Sequence, residues 1–117
     1  MIVVKVTYTV NPGFVSQNRE NIKTFMADFK KLESNEFRYN VYMKADGQTF
    51  VHLSHFDNEV VQQNILNTPS FKQFQLDRDT LGLVSQPRIE EMTFIGATVH
   101  PLQENYLDAS ETTTALK

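Results

Sequence analysis

The sequence has no cysteine, which excludes disulfides, thiolate catalysis and cysteine-held iron–sulfur clusters. Its histidines are three, His52, His55 and His100, and they lack the spacing of a zinc site. Glycine is scarce as well. Gly13, Gly47, Gly82 and Gly96 stand far apart, so there is neither a GxGxxG fingerprint nor a Walker loop to cradle a nucleotide phosphate. Basic charge does not dominate: 11 Lys and Arg against 14 Asp and Glu give a net charge of -3. With no cationic stripe to neutralise phosphates, nucleic acid is not an expected partner. No apolar run approaches the roughly 18 residues that span a bilayer. The opening MIVVKVTYTV alternates Val with Lys and Thr where a signal peptide is evenly apolar. No membrane association and a cytoplasmic location are therefore the expectation.

What is present suits one folded domain. The chain has 117 residues, 40% of them apolar and 21% charged, which is enough for one core and too little for two. Ile2, Val4, Val6, Tyr8 and Val10 share one side of an extended segment, with Val3, Lys5, Thr7 and Thr9 on the other. Asn11-Pro12-Gly13 breaks that strand. Val15, Ile22, Phe25, Met26, Phe29 and Leu32 then recur at helical spacing, predicting an amphipathic helix from about Phe14 or Ser16 to Leu32. Phe37, Tyr39, Val41 and Met43 alternate with polar residues up to Asp46-Gly47, a two-residue hairpin signal leading into a strand over Thr49 to Phe56. Asp57 or Asn58 caps a short helix through Leu66. Thr68-Pro69 starts another, carrying Phe71, Phe74 and Leu81 and stopping at Gly82. A fourth strand is expected from about Arg88 to Ala97.

The order β-α-β-β-α-α-β predicts an α+β, ferredoxin-like split βαβ fold, a four-stranded antiparallel sheet with its helices on one face. The other face would carry Val3, Thr7, Thr9, Tyr42, Val51, Leu53 and His55. That surface is too apolar to leave in water, so a homodimer packed sheet against sheet is expected. Residues 98–117 are expected to form a polar tail, with Leu102, Tyr106 and Leu107 as its candidate anchors on a partner subunit or on a crystal neighbour.

Phe50 to Phe74, FVHLSHFDNEVVQQNILNTPSFKQF, resembles the central motif of the antibiotic biosynthesis monooxygenase family of dimeric α/β barrels. In that motif a strand F-x-L-x-E-x-W runs into a short helix, and a small residue and Pro precede a Phe-containing helix. The resemblance covers residues 1–97 and includes the Asn11-Pro12-Gly13 turn. It departs at Ser54, Phe56, Asn64 and Ser70, where Glu, Trp and histidines are common. The haem-degrading members' Asn, Trp and His correspond to Val6, Ile65 and Gln75, which cannot do those jobs. The members that oxidise anthrones without a cofactor have polar or aromatic groups where this chain has His52, Phe56, Gln62 and Gln75.

The resemblance turns the strand face of His52 and Phe56 toward the helices, where such proteins have their pocket, and puts His55 on the opposite side. An imidazole there can take a proton from a phenol or an activated C–H, a role worth roughly 10²- to 10⁴-fold in rate. The alternative is a histidine hydrogen-bonded within the core. Tyr8, Tyr39, Phe71 and Phe74 can line an aromatic pocket or simply fill the core. Gln75 and Arg78, one helical turn apart, can hold an anionic oxygen or sit in solvent. The functional expectation is a cofactor-independent monooxygenase of an aromatic phenol, quinol or anthrone-like molecule. Its catalytic residue would be His52, its pocket residues Tyr8, Tyr39, Phe56, Gln62, Phe71, Phe74, Gln75 and Arg78, with no metal. The competing expectation is a non-catalytic dimeric barrel that binds a small metabolite or a protein partner.

Overall fold

The computed structural model describes residues 1–102. Strand β1 (Ile2–Thr9) leads through a single 3-10 turn (Pro12–Phe14) into helix α1 (Val15–Lys31), and β2 (Phe37–Met43) and β3 (Thr49–Phe56) follow. Helices α2 (Glu59–Leu66) and α3 (Pro69–Asp77), a π-helical turn (Arg78–Gly82) and β4 (Arg88–Met92) complete the domain. The sheet is antiparallel in the order β2-β3-β1-β4. β1 and β3 are thus central, and each crossover carries its helices over the same face, which is the ferredoxin-like α+β arrangement.

The buried core lies between sheet and helices. Phe50 and Phe56 from β3, Tyr8 from β1, Phe25 and Phe29 from α1 and Phe71 and Phe74 from α3 all belong to it. Phe25 is fully buried, with ring centroids 4.9 Å from Phe74, 5.0 Å from Phe71 and 5.2 Å from Phe29. These distances suit tilted and edge-on aromatic packing, and each ring removed from water contributes about 1.5–3 kcal/mol. Asn58 caps α2, its side chain accepting from the Val61 amide at 3.0 Å. Pro69 starts α3 at a position where no amide hydrogen is needed.

Two local expectations are corrected. The β2–β3 connection is longer than a two-residue turn, because Lys44 donates its amide to the Thr49 carbonyl (2.8 Å) and Ala45–Gln48 lie between them. Asp46 explains the extra length: its carboxylate accepts from the Gln48 and Thr49 amides and from the Thr49 hydroxyl. Those bonds hold its carboxyl below the usual range, and Gly47 takes the left-handed turn position at φ 73. The fourth strand ends at Met92 rather than Ala97. Met92 pairs with Val3 and β1 begins at Ile2, so Phe94 and Ile95 have almost no strand left to pair with.

On the face away from the helices, Val3 is buried, Lys5, Thr7, Val51 and Leu53 are half-buried, and Tyr42 is 56% exposed. The chain beyond β4 brings the rings of Phe94 and His100 within 5.2 Å of each other. His55, opposite Val3 in the ladder, titrates below its ordinary range because of burial first and the nearby His100 second. Leu102 is half-buried. The other expected tail anchors, Tyr106 and Leu107, lie outside the described residues.

Candidate functional site

Strand pairing gathers the polar groups of the core. His52 lies opposite Val6 of β1 and Val41 of β2. Tyr8 and Tyr39 are two residues along from those partners, on the same face, and so meet His52 diagonally within reach of a long aromatic side chain. Tyr8 Oη is 2.7 Å from His52 Nε2 and Tyr39 Oη is 2.7 Å from Nδ1. Helix α1 supplies the next link, with Asn18 donating its amide to Tyr8 Oη at 3.0 Å. Asn18 is fully buried, and its own Oδ1 has no partner among the described residues.

Both ring nitrogens of His52 are therefore occupied by tyrosines, and the ring stacks on Phe74 at a 5.3 Å centroid distance. Burial, assisted by the Arg78 charge, pushes the imidazole down to about 3, so His52 is neutral at physiological pH. The same burial moves both tyrosine hydroxyls upward, so they keep their protons. A proton entering from the solvent side reaches the nitrogens of this imidazole through a tyrosine.

Arg78 is the charge of the site. It closes α3 on the same helical face as Phe71 and Phe74, and its guanidinium lies 5.1 Å from the Tyr8 ring centroid and 5.2 Å from that of Phe74. Such stacking stabilises a partly desolvated cation. Its Nε donates to Asp79 Oδ1 at 2.8 Å. Among the described residues the terminal nitrogens make no hydrogen bond. The π turn is anchored by the Leu83 amide donating to the Arg78 carbonyl at 3.1 Å. Gly82 lies against the Phe14 ring, which a β-carbon at this position would strike.

A cavity of about 260 Å³ opens beside this network, between the sheet and α2–α3. Tyr39, His52, Phe56, Gln62, Phe71, Gln75 and Arg78 line it, together with Ser54 and the apolar walls Val4, Val6, Leu66, Pro87 and Ile89. Tyr8 and Phe74 stand behind it in the core. His55 lies across the sheet, as strand parity requires. Asn64 is exposed and Ser70 is half-buried with its hydroxyl unpartnered among the described residues. A wider, open groove of about 520 Å³ between α1 and β2 touches neither His52 nor Arg78.

Sequence reasoning missed Asn18, although a signal existed. It occupies an apolar-stripe position, three residues after Val15 and four before Ile22, where a polar side chain must find a buried partner. Among the described residues no three His, Asp or Glu side chains gather as metal ligands, and no helix is long and apolar enough to cross a membrane.

No family model matches the sequence, and no curated protein is similar to it. Solved structures are similar in architecture. One described as an antibiotic biosynthesis monooxygenase superposes with a TM-score of 0.66 at 11% identity, over 82% of this chain and 100% of its own. Rv0793 from Mycobacterium tuberculosis gives 0.70 at 14% identity, over 84% and 98% of the two chains. PA3566 from Pseudomonas aeruginosa gives 0.67 at 14%, over 81% and 94%. The chain thus has the fold of the antibiotic biosynthesis monooxygenases, the fold that the resemblance implied.

Proposed function

We propose that this chain is a monooxygenase of an aromatic phenol, quinol or anthrone-like molecule that reacts with O₂ directly, no bound cofactor taking part. The observation that carries the reading is the cavity in which the Arg78 guanidinium and the Tyr39 hydroxyl, backed by His52, flank aromatic walls. Flat rings fit such walls, and a cation with a hydroxyl donor stabilises an oxygen anion in a low-dielectric site. The anion of an anthrone or naphthol is electron-rich enough to combine with O₂. A carbon–oxygen bond forms to give a peroxide at a ring carbon that still bears hydrogen. That hydrogen is lost as the O–O bond breaks, leaving a new carbonyl and hydroxide. In this reading Phe56 and Phe71 hold the ring, Gln62 and Gln75 contact its polar edge, and Tyr8 and Phe74 support His52 and Arg78 from behind.

The test is oxygen uptake by the purified protein with a chelator present, across a panel of anthrones, naphthols and hydroquinones under ¹⁸O₂. One labelled oxygen in the product is expected. Uptake no faster than the uncatalysed blank across the panel would reject the oxygenase. The competing reading, a barrel that only binds a small metabolite, is favoured by one feature: both His52 nitrogens are already engaged. Saturable binding of the same compounds without uptake would select it.

The sheet face opposite the helices carries Val51, Leu53 and Met92 beside buried Val3, and we infer a homodimer built on it. Such an interface should exceed the roughly 1,600 Å² of a standard complex. Light scattering is expected to show a dimer, and a monomer at micromolar concentration would contradict the inference.

A further inference from the structure

The chain Asn18–Tyr8–His52–Tyr39 has one end inside the protein and the other at the cavity. At the inner end Asn18 donates to Tyr8 Oη. A hydroxyl that accepts on one side still has its own proton to place. His52 Nε2, at 2.7 Å, is the partner available for it. A neutral imidazole whose Nε2 accepts carries its hydrogen on Nδ1, so Nδ1 donates to Tyr39 Oη across 2.7 Å. Tyr39 is then left with a proton and, among the described residues, no protein acceptor for it. That proton belongs to whatever enters the cavity.

Arg78 points the same way independently. A guanidinium only donates, and its terminal nitrogens have no protein partner among the described residues. The amides of Gln62 and Gln75 can turn to either role. We propose that the cavity selects its ligand by acceptor oxygens, taking a planar enolate, phenolate or hydroxyquinone anion in preference to a neutral phenol of the same shape. The inference rests on the oxygenase reading for the aromatic character of the ligand. It adds that the anion is the form bound, and that the polarity of the hydrogen-bond chain, set at Asn18, is what imposes the choice.

The test compares 2-hydroxy-1,4-naphthoquinone, an anion at neutral pH, with 1-naphthol, which is neutral, by titration calorimetry. The wild-type protein is expected to bind the anion at least about tenfold more tightly, the scale of a charge-assisted hydrogen bond. Tyr39→Phe keeps the ring in the core and should remove most of that preference, weakening the anion far more than 1-naphthol. Equal affinities in the wild type, or an unaltered preference in Tyr39→Phe, would overturn the inference. A second measurement needs no ligand. ¹⁵N spectra of labelled histidine should show the His52 hydrogen on Nδ1, and a hydrogen on Nε2 would overturn the inference, because Tyr39 would then donate to Nδ1 and offer the cavity only an acceptor. Oxygen uptake on the same samples separates the two readings. Anion preference without uptake leaves this inference standing and removes the oxygenase, whereas uptake with no anion preference does the reverse.

Discussion

Substitution of His52 by alanine is expected to slow oxygen uptake by roughly 10²- to 10³-fold, the scale of losing one preorganised donor at a developing anion. The imidazole does not itself reach the cavity's ligand through a free nitrogen, since Tyr8 and Tyr39 occupy both. It acts by holding the Tyr39 oxygen so that the hydroxyl proton faces outward. Tyr39→Phe should therefore reproduce most of the loss, which a histidine acting alone as general base does not predict. The pH profile adds a readout that a purely structural role leaves unmoved. With His52 pushed down to about 3 by burial and Arg78, wild-type turnover should show no step near the ordinary histidine value of about 6.5. His55→Ala, on the far face of the sheet, is the control and should keep its rate. A full-rate His52→Ala enzyme, or a Tyr39→Phe enzyme that turns over normally, would remove this role.

The second large effect is on stability in acid. His52 has a depressed value in the folded chain, about 3, against about 6.5 when unfolded. Below that unfolded value the unfolded chain binds a proton that the folded chain refuses. The contribution is thus fully present above about pH 6.5 and is lost as pH falls toward 3, at up to about 1.4 kcal/mol per pH unit. Over the whole window it reaches on the order of 5 kcal/mol, comparable with the entire stability of a small domain. Urea unfolding followed from about pH 7 to about pH 4.5 measures it directly. His52→Gln does not titrate, so its stability should fall less steeply with acid than that of the wild type. Parallel curves for the two proteins would show that His52 does not carry the effect.

How much of this was legible beforehand depends on the range of the interactions involved. The alternation Ile2–Val4–Val6–Tyr8 and the stripe through Phe25 and Phe29 are local patterns, and each maps onto one element of the fold. Strand parity put His52 and His55 on opposite faces for the same reason, because the period of two is a property of the backbone alone. The Tyr8–His52–Tyr39 bonds are different in kind. They depend on the register of β3 against two neighbours, and a one-residue slip on either side would abolish them. Phe94 and Ile95 look like strand residues, yet whether they pair is decided by where β1 begins. Arg78 reads as one position of a continuing helix. Its inward side follows from the helical stripe of Phe71 and Phe74, whereas the π turn that begins at it is what no periodicity announces.

That turn holds one residue more than an α-helical turn of the same rise, and the chain leaves it straight into the end of β1. Asn11 donates to the Gly82 carbonyl at 2.8 Å, Leu83 bridges Val10, and Val84 donates to the Thr9 carbonyl at 3.0 Å. Asp79, Thr80 and Leu81 face solvent. Asp79 holds the Arg78 Nε, so side-chain replacement should be tolerated at residues 80 and 81 only, and the segment as a whole should be intolerant of a change in length. Thr80→Ala removes one exposed hydroxyl and its bond to the Leu76 carbonyl, whereas deleting Thr80 shortens the path, drawing Leu83 away from Val10 and releasing its bond to the Arg78 carbonyl. Limited proteolysis should leave the first variant as resistant as the parent and cut the second readily, and identical resistance would show the extra residue to be dispensable. Related sequences that keep this site would then differ freely in composition at residues 80 and 81 while sharing one spacing from Arg78 to Gly82.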